Sequence, residues 1–239
     1  MKEIIYSDYS ELSVKTAELI ADIISHKPDA LLCFPAGETS VGTFTCLIEL
    51  NKSRRISFKD TRIVGLDEWI GLREMKTENC FSFLQKHLFD NIDYNRDKLC
   101  FFDGESDNPE QECTKTDDFI NKYGPIDMVL LGIGMNGHLG LNEPGIAWDI
   151  DSHIVSLDET TRKVGQKYFS RKTELSAGIT IGMKQILNSQ TVILQVSGKK
   201  KSDVTSRLIE GVISADFPAS ALKNHSNAFL MIDKDAAGC

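Results

Sequence analysis

Residues 126–145 read Ile126-Asp127-Met128-Val129-Leu130-Leu131-Gly132-Ile133-Gly134-Met135-Asn136-Gly137-His138-Leu139-Gly140-Leu141-Asn142-Glu143-Pro144-Gly145. The first part, Ile126–Ile133, is apolar almost throughout, and the second is a loop with four glycines in twelve residues. A short apolar run of this kind suits a strand covered on both faces, where neither side of the chain meets water. Four other runs share the pattern: Ala30–Phe34, Thr61–Leu66, Thr191–Val196 and Ala228–Ile232. Between them lie segments of helical periodicity. Glu11–His26 sets Leu12, Ala17, Leu19, Ile20, Ile23 and Ile24 around one face, and Asn79–Phe89 repeats the pattern with Phe83, Leu84 and Leu88. Glu110–Tyr123 and Lys199–Glu210 read as more polar helices.

Strands that alternate with helices imply parallel pairing through right-handed crossovers. The expected fold is therefore α/β, a doubly wound, mainly parallel sheet with helices on both faces, Rossmann-like and three-layered. A chain of 239 residues fits one such domain spanning 1–239. Residues 149–176 are polar and less periodic, and are expected to form a mobile flap within it. No internal repeat, low-complexity tract or linker rich in Pro, Gly and Ser interrupts the pattern.

The net charge of −8 does not fit a basic nucleic-acid footprint. An acidic protein binds an anion where its Lys and Arg residues gather locally. The six cysteines are irregularly spaced without a C-x-x-C pair, and no apolar run nears the roughly 20 residues of a membrane span. The N-terminus lacks the apolar core of a signal peptide. These features lead to the expectation of a cytoplasmic protein with free thiols and neither membrane nor nucleic-acid partners.

In a doubly wound sheet, ligands sit beyond the carboxyl ends of the strands. After Ala30–Phe34 comes Pro35-Ala36-Gly37-Glu38-Thr39-Ser40, a small-residue loop opening a helix at Val41. Free N–H groups at a helix start, with the Thr39 and Ser40 hydroxyls, suit a phosphate; the same residues also fit a plain helix N-cap. After Thr61–Leu66 come Asp67 and Glu68, which must face opposite ways along a strand. One carboxylate would enter the cleft, where desolvation raises its pKa and equips it to carry a proton. The alternative is that Asp67 caps the next segment and Glu68 forms an ion pair.

The glycine loop carries His138 and, five residues on, Glu143. Histidine suits acid/base work near neutral pH, and a neighbouring carboxylate fixes its tautomer. No second histidine lies at ligand spacing, so no metal site is expected. His26, His87, His153 and His225 read as structural. In Ser197-Gly198-Lys199-Lys200-Lys201-Ser202, three lysines at a helix start oppose the dipole unless an anion sits there. The alternative is a solvated basic face. Arg162 and Lys167 add positive charge from the flap.

From Glu11 to about Asp233 the chain resembles the hexosamine-6-phosphate deaminase/isomerase family. The most specific matches are Leu66-Asp67-Glu68-Trp69-Ile70-Gly71-Leu72 and Asn142-Glu143-Pro144-Gly145. Trp69, the loop Gly137–Gly145 and Phe217-Pro218-Ala219-Ser220 look closest to its galactosamine-6-phosphate isomerase branch. The resemblance implies isomerisation with deamination of a 2-amino-2-deoxyhexose 6-phosphate to a ketohexose 6-phosphate and ammonia, without a cofactor. The galacto epimer is favoured and the gluco epimer comes next; the partner is thus a small anionic amino-sugar phosphate.

The resemblance also assigns roles. Asp67 matches the acid/base aspartate, His138 the ring-opening histidine and Glu143 its supporting glutamate. Lys201 matches the phosphate lysine, Lys167 a basic flap residue, and Gly37 and Thr39 the phosphate loop. Asn136 stands where many members carry aspartate, and Glu38 where a small residue is usual. His153 and Val155 replace two basic residues of an allosteric anion site, implying no activation by N-acetylglucosamine 6-phosphate. Two other readings share parts of the pattern: a 6-phosphogluconolactonase-type hydrolase and a non-catalytic sugar-phosphate sensor. Oligomeric state has no readable motif.

Overall fold

The five apolar runs form the centre of a seven-stranded sheet in a computed structural model that describes residues 1–72 and 77–239. In chain order its strands are β1 (Lys2–Tyr6), β2 (Leu31–Phe34), β3 (Arg62–Gly65), β5 (Leu99–Cys100), β6 (Met128–Leu131), β9 (Val192–Val196) and β10 (Ala228–Asp233). Every pairing is parallel, in the spatial order β1-β10-β9-β6-β2-β3-β5. The order reverses between β2 and β6, so the loops that leave these two strands open a crevice at their carboxyl ends.

Each central strand is buried on both faces because successive side chains enter different cores. Leu31 and Cys33 of β2, with Val129 and Leu131 of β6, pack into one core. Helices α4 (Pro109–Tyr123), α6 (Met183–Leu187), α7 (Ser202–Glu210) and α8 (Lys234–Ala237) cover it. Leu32, Phe34, Met128 and Leu130 point the other way, beneath α1 (Tyr9–His26), α2 (Val41–Lys52) and α3 (Cys80–His87). Helix α1 shows the logic: Asp8 caps it by accepting from the Glu11 N–H at 2.9 Å, and Leu12, Ala17, Ile20 and Ile24 form its buried stripe.

Several elements depart from the sequence expectation, strand β5 among them. The Lys199–Glu210 helix is a 3-10 turn over Lys199–Lys201 followed by α7, so all three lysines precede the α-helix proper. Strand β1 pairs at the sheet edge, where its alternation is masked by exposed charged residues. A second, antiparallel sheet orders β4 (Asp67–Trp69), β8 (Ala177–Thr180) and β7 (His153–Ser156).

The expected flap, 149–176, contains β7 and helix α5 (Glu159–Gly165). Its Leu157, Phe169 and Leu175 pack with Leu72 and Leu141 in a small satellite core, and Trp69 meets Phe169 edge-on at 6.1 Å. Among the described residues no helix is long and apolar enough to cross a membrane. All six cysteines are free.

Candidate active site

A cavity of about 380 Å³ lies at the β2/β6 switch point, in the size range of small-molecule sites. Its wall includes Gly37, Thr39, Ser40, Asp67, His138, Lys167 and Lys201. Residues from five separate chain segments therefore open into one space. Asn136 and Glu143 stand behind the His138 side of it.

Asp67 begins β4, where the chain leaves the parallel sheet and pairs with β8, Asp67 opposite Thr180. Alternation along β4 turns Asp67 into the cavity and Glu68 away from it. Glu68 is 2% exposed and accepts the backbone N–H groups of Trp69, Cys80 and Phe81 at 2.8, 2.9 and 3.0 Å. It thus ties the start of α3 to β4 through backbone donors, which replaces the ion pair that was one expectation. Burial, and secondarily the Glu68 charge, push the Asp67 carboxyl up to about 7, while a hydrogen bond with the Cys80 thiol opposes the rise. A carboxylate so tuned both takes and returns a proton near neutral pH.

His138 sits in the glycine loop because Gly134 makes room for its ring, while Gly137 makes room for a neighbouring one. A Cβ on Gly134 would overlap the His138 ring, and Gly137 has φ of +89° with the Phe217 ring against its α-carbon. Asn142 pins the loop from below, its Nδ2 donating to the Leu139 and Ile181 carbonyls at 2.8 and 2.9 Å. His138 Nδ1 lies 3.1 Å from Thr161 Oγ1 and 3.6 Å from Glu143 Oε2. Glu143 is 6% exposed. Burial works against its charge, but His138, Thr161 and Asn136 outweigh it and hold the carboxyl below its usual range.

The cationic end is equally defined. Neither Thr39 nor Ser40 caps a helix with its side chain, so the N-cap alternative fails, and both residues line the cavity. Of the three lysines, Lys199 and Lys200 are exposed and only Lys201 enters the cavity, donating from Nζ to the Ile133 carbonyl at 2.6 Å. Burial, and then the charge of Lys167, lower Lys201 to about 8. Two cations held close together in a half-buried site are what a dianion would relieve. Lys167 pairs with Glu38 at 2.7 Å and lies 4.8 Å from the centre of the Tyr168 ring. Arg162 is not among the residues of the cavity wall.

Thr161, Asp158, Cys80 and Tyr168 also belong to this site and were not singled out from the sequence. Asp158 had a signal, since an Asp two residues before Thr160 at the start of a polar segment is an N-cap pattern. The other three had none, because each reaches the site from a distant part of the chain. Among the described residues, no group of three or more His, Cys, Asp or Glu side chains could hold a metal ion.

Comparison with known proteins agrees with this geometry. Residues 9–231 match the family model described as glucosamine-6-phosphate isomerases/6-phosphogluconolactonase. A glucosamine-6-phosphate deaminase of Bacillus pumilus is 41% identical over 237 residues, covering 99% of this chain and 98% of that protein. A solved monomeric glucosamine-6-phosphate deaminase superposes with a TM-score of 0.96 at 37% identity, over 100% of this chain and 99% of the other. The 6-phosphogluconolactonase of Trypanosoma brucei superposes with a TM-score of 0.74 at 18% identity, over 99% and 97%, a likeness of fold alone.

Proposed function

The chain belongs to the glucosamine-6-phosphate isomerase/6-phosphogluconolactonase family, and we propose that it isomerises and deaminates a 2-amino-2-deoxyhexose 6-phosphate. One observation carries this reading: Asp67 and His138 open into the same cavity as Thr39, Lys167 and Lys201. A proton carrier, a ring-opening group and an anion cradle thereby face one bound sugar phosphate.

In this reading Lys201, Lys167 and the Gly37–Ser40 loop hold the phosphate. That remote binding energy positions the far end of the sugar for reaction. His138 moves a proton between the ring oxygen and O1, opening the ring to the aldehyde. Asp67 removes the C2 proton while the carbonyl oxygen gains one, leaving an enolamine. Return of a proton at C1 gives a ketimine, which water hydrolyses to the ketose phosphate and ammonia. Neither redox change nor an electron sink enters the sequence of steps.

The gluco epimer is supported by the name of the 41% identical relative, while Trp69 and the Gly137–Gly145 loop are the features that favour the galacto epimer. Lactone hydrolysis is the weaker reading, since the lactonase likeness is confined to low sequence identity. The test is an ammonia-release assay on the two epimeric 6-phosphates, run beside lactone hydrolysis. Lactone turnover without ammonia from either amino sugar would reject the proposal.

A further inference from the structure

Helix α5 begins where the His138 loop needs support. Asp158 is its N-cap, and Oδ1 accepts from the Thr160 N–H at 2.8 Å. The same oxygen accepts from Asn136 Nδ2 at 3.3 Å, and the Asp158 N–H donates to Glu143 Oε1 at 3.2 Å. Asn136 Nδ2 also donates to Glu143 Oε2 at 2.9 Å, while its Oδ1 accepts from the His138 N–H at 3.3 Å. These bonds close a ring through Asp158, Asn136 and Glu143, with His138 attached to both of its inner members.

The ring settles where hydrogens lie. Carboxylates only accept, so both hydrogens of the Asn136 amide are committed to Glu143 and Asp158, and its oxygen must face His138. His138 Nδ1 lies beside Glu143, another pure acceptor, and beside Thr161 Oγ1. The Thr161 hydroxyl also favours the charged form of Glu143. The carboxylate beside Nδ1 favours a hydrogen on that nitrogen, toward which Thr161 Oγ1 accepts. A neutral imidazole here carries its hydrogen on Nδ1 and keeps Nε2 as the bare nitrogen, which makes no hydrogen bond among the described residues.

We propose that Asp158 is a positioning residue for His138: by anchoring Asn136 and Glu143 to the start of α5 it fixes the Nδ1–H tautomer and leaves Nε2 to exchange the proton with the bound sugar. The proposal rests on the reading of His138 as the ring-opening group. It also joins two ends of the site, because the short segment that starts at Asp158 supplies Thr161 to the imidazole and Lys167 to the anion cradle.

Two substitutions separate this role from simple helix capping. Asp158→Ser keeps a side chain that caps helices well but is too short to reach Asn136, whereas Asp158→Asn keeps an acceptor oxygen for both bonds. Long-range proton–nitrogen spectra of the imidazoles, with His138 assigned by its absence in His138→Gln, read the tautomer directly. Wild type and Asp158→Asn should show His138 as Nδ1–H, and Asp158→Ser should move it toward Nε2–H. In the same preparations kcat on closed-ring substrate should fall roughly tenfold in Asp158→Ser, with KM within about twofold, and recover in Asp158→Asn. An unchanged tautomer in Asp158→Ser, or no recovery in Asp158→Asn, overturns the proposal. If the spectra behave as expected but wild type releases no ammonia from either amino-sugar phosphate, the functional reading falls and the positioning role stands.

Discussion

Replacing Lys201 by Met tests the anion end of the site at a single atom. Nζ is held at 2.6 Å from the Ile133 carbonyl, and burial together with Lys167 brings the ammonium down to about 8. A lysine lowered in this way loses its charge as pH rises through that value. With a value of about 8, roughly nine-tenths of Lys201 is charged at pH 7 and roughly one-tenth at pH 9. Wild-type kcat/KM should therefore drop about tenfold between pH 7 and 9, apart from any other ionisation. At pH 7, losing one charge-assisted hydrogen bond to phosphate costs about 1.5–3 kcal/mol, or roughly 10- to 150-fold in kcat/KM. In the proposed reaction the phosphate is held equally before and during the bond changes, so the loss should fall on KM and spare kcat. Initial rates of ammonia release from pH 6 to 9.5 read both effects. Lys201→Met should lose the alkaline limb altogether and keep the acid one. A limb that persists near pH 8 in the variant, or a kcat/KM within twofold of wild type, would refute the assignment.

In the proposed mechanism the acid limb belongs to Asp67, whose carboxyl sits at about 7 and would have to be ionised to take the C2 proton. Below that value kcat/KM should fall about tenfold per pH unit, and Asp67→Asn should lose about 10²–10⁴ in turnover while still binding a ketose 6-phosphate in a calorimetric titration. His138→Gln should impair the closed-ring substrate far more than an open-chain analogue, and equal loss on both removes the ring-opening role. Glu68→Ala leaves one buried and two part-buried N–H groups without their acceptor, and should lower unfolding free energy by about 2 kcal/mol in urea titration. A stability change below about 0.5 kcal/mol would mean that the Cys80 and Phe81 amides find other partners.

The sheet was legible because its five central strands are buried on both faces, and double burial writes itself into sequence as unbroken apolar runs such as Ile126–Ile133. Helices α1 and α4 were legible for the complementary reason, that each has one buried stripe. Strand β4 was read only as the tail of the Thr61–Leu66 run, since Asp67-Glu68-Trp69 has no apolar pattern and becomes a separate strand by pairing with β8, more than a hundred residues away. Strand β1 was hidden by its place at the edge, where Lys2 and Glu3 meet solvent.

Residue identity and position at strand ends were enough to nominate the Asp67-Glu68 pair, His138, the three lysines 199–201 and the loop at Thr39, because an α/β sheet places such loops on one side by topology; the family resemblance then singled out Asp67 and Lys201. Which carboxylate enters the cleft and which of three adjacent lysines does so follow physically from the folded chain and not from composition or spacing. Whether Thr39 and Ser40 cap a helix was decided there too. These are questions of side-chain direction, which depends on local backbone geometry that composition does not carry. The same holds for Asp158, Thr161 and Cys80. Their chemistry comes from neighbours brought to within hydrogen-bond reach by packing, across 12 to 23 residues of sequence. Sequence order is silent about such encounters because they are properties of a shared volume, which exists only once the layers have closed.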